Sequence, residues 1–175
     1  WLERPSPGVN VIRVLALMES ESVVGAYQFT LAPGTQTVAH VRATVHSRRA
    51  VKVFGVAPLT SMFWHGENSG GDFGDIRPEV HDSDGLMMFT GAGEWLWRPI
   101  SNREMLQISA FSDENPKGFG LLQRDRDFSS FLDDEARWER RPSLWIEPLG
   151  DWGAGAVTLV EIPSDSEINR NIVAY

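Results

Sequence analysis

Three carboxylates and an imidazole fall within six positions, at Glu79, His81, Asp82 and Asp84, inside the string Arg77-Pro78-Glu79-Val80-His81-Asp82-Ser83-Asp84-Gly85. Successive side chains of an extended backbone alternate between its two sides, so Asp82 and Asp84 share one face and Glu79 and His81 the other. Cleavage of a glycosidic bond asks for such a set: one carboxylic acid holds a proton beside the leaving oxygen, and a second carboxylate activates water or attacks the sugar. The Asp-Ser-Asp-Gly letters equally spell an ordinary turn, in which Asp side chains bond their own backbone. They do not spell a calcium loop, because the spacing departs from the EF-hand pattern.

Aromatic side chains form a second set. Trp64, Trp95, Trp97, Trp138, Trp145 and Trp152 lie in stretches rich in Gly, Pro, Asp, Glu and Arg. Indoles beside Arg and Asp, as in Trp95-Leu96-Trp97-Arg98, suit a site that is apolar and wet at once, and the flat C–H faces of sugar rings stack on them. Large side chains that simply fill a core give the same pattern. A third set comprises Asp113, Glu114 and Asn115, followed by Arg124, Asp125 and Arg126. Alternating Arg and Asp either form an ion-pair ladder between loops or grip vicinal hydroxyls with paired hydrogen bonds. The four histidines, His40, His46, His65 and His81, lack zinc-site spacing. Ser61 and Ser83 lack a nucleophile elbow. No metal and no other cofactor is expected.

The elements that must position these residues read as strands. Between Thr37 and His46 the apolar Ala39, Val41, Ala43 and Val45 alternate with His40, Arg42, Thr44 and His46, which predicts a half-buried strand with one face on a core. Residues 9–17, 25–31, 51–56, 105–111, 144–146 and 156–162 also read as strands, separated by Gly, Pro, Asn and Asp clusters. Only 128–139 could hold a helix of any length, and its many Asp and Arg residues equally suit a solvated loop. The polar-aromatic stretches 65–85, 91–99, 112–127 and 133–153 read as functional loops on this scaffold. The fold class is all-β, a sandwich of two packed sheets.

The 175 residues, 42% hydrophobic and 23% charged, suit one soluble domain or a large piece of a bigger one. A net charge of -8 argues against a nucleic-acid binder, because phosphates call for clustered Lys and Arg. Neutral sugars remain open as ligands. Absence of cysteine excludes disulfide and thiol chemistry without naming a compartment. No apolar stretch approaches the roughly 20 residues that cross a bilayer. The chain opens on Trp1 with no Met or signal-like segment, which reads as a trimmed chain.

Several unbroken strings then carry a resemblance: Phe54-Gly55-Val56-Ala57-Pro58-Leu59-Thr60-Ser61-Met62-Phe63, residues 77–85, Gly93-Glu94-Trp95-Leu96-Trp97-Arg98-Pro99, residues 112–127, Arg141-Pro142-Ser143-Leu144-Trp145-Ile146-Glu147-Pro148, and Gly150-Asp151-Trp152-Gly153. From about Gly25 onward the chain resembles the periplasmic glucan biosynthesis G and D proteins. The resemblance implies a periplasmic protein with a galactose-mutarotase-like supersandwich, of which residues 1–175 are a C-terminal portion, the following immunoglobulin-like domain being absent. It implies a linear β-1,2-glucan chain as substrate. It further implies inverting endo-β-1,2-glucanase chemistry, or a non-catalytic glucan-binding role beside an inner-membrane glucosyltransferase.

On that resemblance Asp82 is the general acid and its water-activating partner lies upstream; the substrate contacts are expected at Glu79, His81, Asp84, Trp95, Trp97, Arg98, Asp113, Glu114, Asn115, Arg124, Asp125, Arg126, Arg137 and Trp138. Residues 128–147 resemble a mobile segment that covers substrate, and their Asp-Asp-Glu-Ala-Arg-Trp-Glu stretch leans toward the D type. One departure stands out: the usual Asn-Asp-Asn-Ile reads Asn169-Arg170-Asn171-Ile172, a reversal of charge.

Overall fold

A computed structural model describes residues 1–69 and 74–175. The chain forms two compact units, Trp1–Phe54 and Gly55–Tyr175. In the first, β1 (Leu2–Glu3), β2 (Ile12–Glu19), β3 (Val23–Ala32) and β4 (Val38–Ser47) make an antiparallel sheet in chain order. Its register aligns Val14 with Phe29 and Phe29 with Val41, and Ala16 with Tyr27 and Tyr27 with Ala43, so one face is apolar across the sheet. The other carries Arg13, Gln28, Thr30, His40, Arg42 and His46.

The alternation expected of residues 37–46 is therefore realised, but the burial is not: along β4 only Val45 is even partly covered, and Val41 is half exposed. One sheet layer buries an apolar face only against a second layer, and this unit has one sheet among its described residues.

The second unit is a sandwich. One sheet runs in the order β10 (Gln107–Glu114), β13 (Ala154–Glu161), β14 (Ile172–Ala174), β5 (Leu59–Ser61). The other runs β12 (Leu144–Ile146), β11 (Gly118–Leu122), β8 (Gly85–Phe89), β9 (Trp95–Pro99). Inward side chains of both build one core: Leu59, Val157, Leu159, Ile172 and Ala174 meet Leu86, Met88, Phe119 and Leu121. A short ribbon of β6 (Phe63–His65) and β7 (Val80–His81) lies beside a smaller core of Met62, Val80, Phe131 and Trp138.

Across the sandwich, buried Glu161 accepts the Ser101 N–H at 2.7 Å and pairs with Arg98 at 3.1 Å, which satisfies a carboxylate that burial would otherwise penalise.

Three expectations are corrected. Residues 51–56 form no strand; they join the two units, with Val53 and Phe54 exposed, and a short apolar run cannot find a ladder partner by composition. The candidate helix is one turn, α1 (Phe128–Phe131), stopped where Leu132 enters the left-handed region at φ +52°, and followed by a 3₁₀ turn, Trp138–Arg140. Asp133 accepts the N–H groups of Glu135 and Ala136, bending the chain locally in competition with a longer helix. Much of the stretches expected to be loops is strand: β8, β9 and β11 lie within or beside them. Among the described residues no helix is long and apolar enough to cross a membrane.

Candidate active site

The segment from Glu79 to Gly85 runs from β7 through bends at Asp82 and Asp84 into β8 and is held by three neighbours. The Asp82 N–H donates to the Met62 carbonyl at 2.8 Å, the Asp84 N–H to Leu122 at 2.9 Å, and the Asp84 carbonyl accepts from Ile100 at 3.0 Å. The alternation expected from the sequence is realised in part: Glu79, His81 and Ser83 are buried and Asp82 and Asp84 partly open, but Val80 is fully buried as well. The odd positions point inward. Glu79 Oε2 lies 2.7 Å from His81 Nε2, His81 Nδ1 lies 2.8 Å from Gln123 Oε1, and the Ser83 hydroxyl bonds that of Ser61 at 2.7 Å. Phe63 stacks on the His81 ring at 5.3 Å and Phe131 meets it edge-on. Gln123 also donates to the Trp138 carbonyl at 3.2 Å. Glu79 and His81 are thus buried partners of each other.

Asp82 and Asp84 are partly open to solvent, and each carboxylate meets arginine. Asp82 lies 3.3 Å from Arg141 Nε and pairs with Arg170. Asp84 Oδ2 accepts the Arg124 backbone N–H at 3.3 Å and its Nε at 3.2 Å, and the Arg124 guanidinium lies 5.4 Å from the Trp97 ring.

Both arginines of Asp82 are delivered by segments that Arg77 ties down. Arg77 pairs with Asp75 at 2.6 Å, Asp133 at 2.7 Å and Glu167 at 2.8 Å. Asp133 lies in the loop leading to Arg141, and Glu167 in the turn carrying Arg170. The Arg77 side-chain hydrogen bonds hold the Asp75 carboxyl at about 2 against the opposing effect of burial, and Arg77 is raised in turn, first by Asp75. At Asp133 burial acts upward, but the Ala136 N–H, Arg77 and the Trp138 indole outweigh it and the group is lowered.

The remaining candidates separate by place. Asp125 accepts from the Ser130 hydroxyl and the Asp127 N–H, and both lower it. Its carboxylate, with those of Glu67 and Glu79, forms a group whose oxygens lie within 4.8 Å of one another, the one set among the described residues with cation-ligand spacing. All three are already engaged, Glu79 by His81, Asp125 by Ser130 and Glu67 by Arg124 at 3.6 Å. Arg126 reaches Ser143 at 3.2 Å, and Arg137 bonds Glu139 at 2.7 Å. Trp138 belongs to the smaller core, with the Arg141 guanidinium 4.6 Å from its ring.

Arg98 serves Glu161 in the sandwich. Asp113 accepts the Gly91 N–H at 2.8 Å and Asn115 that of Gly153 at 2.6 Å, with Glu114 the last residue of β10 before the β10–β11 turn. Since Gly91 follows the far end of β8, this turn lies a strand length away from Asp84. The structure therefore brings together Asp82, Asp84, Arg124 and Trp97, and separates them from 113–115. Sequence reasoning missed Arg141 and Gln123, and noted Arg170 only as a departure in charge; no local signal points any of them at residues 81–82.

A family model described as "Periplasmic glucan biosynthesis protein, MdoG" matches residues 1–175. The chain is 57% identical over its whole length to the Glucans biosynthesis protein G 1 of Shewanella oneidensis, and equally to the Glucans biosynthesis protein G of Shewanella baltica strain OS155. It spans 32% of the length of each. These relatives carry the G name, whereas the 133–139 string leaned toward the D type.

Proposed function

Because the chain belongs to the periplasmic glucan biosynthesis family, we propose that it carries part of the glucan-processing site of a periplasmic protein acting on linear β-1,2-glucan, with Asp82 as general acid of an inverting hydrolysis. The supporting observation is the pair Asp82 and Asp84 in the link between β7 and β8, held by three backbone hydrogen bonds beside Trp97 and Arg124. Such rigidity is what an acid needs to meet a leaving oxygen repeatedly in one geometry. Asp82 protonates that oxygen as the bond to the anomeric carbon breaks, and water, activated by a carboxylate from another segment of the whole protein, attacks the opposite face.

In the arrangement observed, Asp82 is engaged by Arg141 and Arg170, so a substrate oxygen reaches it only once Arg170, 58% exposed at its side chain, moves aside. The same pairing favours a second reading, in which the site binds nascent glucan for an inner-membrane glucosyltransferase without cleaving it.

Sugar release from linear β-1,2-glucan by the whole protein separates the two. Under the first reading Asp82→Asn keeps the melting temperature and glucan binding but lowers turnover roughly 100- to 10,000-fold. Binding without release by the unaltered protein leaves the second reading.

A further inference from the structure

Gln123, the residue that follows β11, is buried and lies against two separate parts of the candidate site. Its side-chain NH2 faces two carbonyls, that of Trp138 at 3.2 Å and that of His81 at 3.5 Å, the second belonging to the peptide that leads into Asp82. Its side-chain oxygen lies 2.8 Å from His81 Nδ1. Turned over, the amide would set its oxygen against two carbonyl oxygens, so the observed orientation is the paired one and Nδ1 donates to it. At the other ring nitrogen, Nε2 stands 2.7 Å from Glu79 Oε2, a distance at which two lone pairs cannot face each other, so a second proton is held between them. The Gln123 backbone N–H donates to the Ser143 hydroxyl at 2.9 Å. Trp138 and Ser143 bracket Arg141, the residue whose guanidinium lies against Asp82.

We propose that Gln123 is a positioning residue for the candidate acid. It orients the buried Glu79–His81 pair and the peptide before Asp82, and ties both to the loop that brings Arg141 onto Asp82. The inference rests on the reading of the site as hydrolytic and adds a residue that touches neither the sugar nor the reacting bond. A side chain that only filled this space would be apolar, because a buried amide costs free energy unless its groups are paired. Gln123 pairs both ends of its amide, with partners drawn from β7 and from the 138–143 loop. The acid's strand and the loop therefore share one amide, and a shift of either changes the hydrogen bonds left to the other.

The test uses the whole protein and linear β-1,2-glucan. Gln123→Glu keeps an acceptor for His81 Nδ1 but turns an oxygen toward the two carbonyls, and Gln123→Met keeps the length with neither function. Assayed well below their melting temperatures, both variants are expected to lose roughly 10- to 100-fold in kcat with KM within about 2-fold of the parent, the pattern of a misplaced catalytic group rather than of lost binding. A second readout needs no variant to fold. In the unaltered protein with ring-15N histidine, magnetic resonance should show a slowly exchanging proton on His81 Nδ1, identified by its proximity to the Phe63 ring that stacks on it. Unchanged kcat in a folded Gln123 variant, a loss confined to KM, or a His81 Nδ1 without hydrogen overturns the positioning role and leaves the proposed function standing. Glucan binding without sugar release by the unaltered protein overturns the hydrolytic reading and this role with it.

Discussion

Arg170 forms an ion pair with Asp82, so the position where a basic residue replaces the acidic one of the resembling pattern lies against the candidate acid. The pair is one-sidedly exposed: Asp82 is largely covered, whereas most of the Arg170 side chain meets solvent. Such a contact is worth little in stability but lies across the path of a proton. If hydrolysis is the activity, Arg170→Asp should raise the rate on linear β-1,2-glucan about 2- to 5-fold, the factor expected for loss of a partly exposed ion pair. Initial rates across the pH range of activity check this, and equal rates would show that the pair opens without cost.

The Arg77 network gives a pH signature. Asp75 is held at about 2 in the fold, below its ordinary 3.8, chiefly by the Arg77 side chain. A group lowered by folding contributes stability that is complete above its unfolded value and is lost as pH falls through the folded one. Stability should therefore drop by on the order of 2 kcal/mol between about pH 4 and pH 2 from this group alone. Asp133, also lowered, adds to the same slope. Urea titrations at pH 5 and pH 2.5 measure the difference, and Arg77→Gln should flatten it while loosening the 133–141 loop to proteolysis.

His81 is enclosed by Phe63 and Phe131 with both nitrogens near polar partners, Glu79 and Gln123. Substituting His81→Phe keeps a ring of similar size but strands a buried carboxylate and an amide. The expected cost is about 3 kcal/mol, since unpaired buried polar groups lose their full desolvation. Thermal melts read the loss directly. A variant as stable as the parent would show that Glu79 and Gln123 find other partners.

Residues 1–175 expressed alone should bind and cleave glucan poorly and melt below the whole protein. The apolar face of β1–β4 is largely open to solvent, with Ile12 and Val41 nearly half exposed, and the chain spans about a third of the length of its relatives. An open apolar face invites association. Light scattering beside a thermal melt follows both effects, and a cooperative, concentration-independent melt matching the whole protein's would contradict them.

The sequence by itself separated Glu79 and His81, which are buried, from Asp82 and Asp84, which are partly open, because the two-residue period of extended backbone is a local property; the full burial of Val80 and the bends at Asp82 and Asp84 came only with the fold. It also settled the all-β class, and the motif strings were enough to point to the family. Tertiary structure alone decided which tryptophans are core and which are surface, since Trp138 packs with Phe131 and Val80 while Trp95 stands exposed, and composition gave both the same surroundings. It alone showed that β11 is a strand: Gly118 and Gly120 lower strand propensity, and their purpose becomes visible only when Trp145, on the paired strand, is found lying across them. Arg141 and Arg170 reach Asp82, and Asp133 and Glu167 reach Arg77, from segments far along the chain. Contacts between residues so distant are set by how the sheets and loops pack, and no local period or propensity records them.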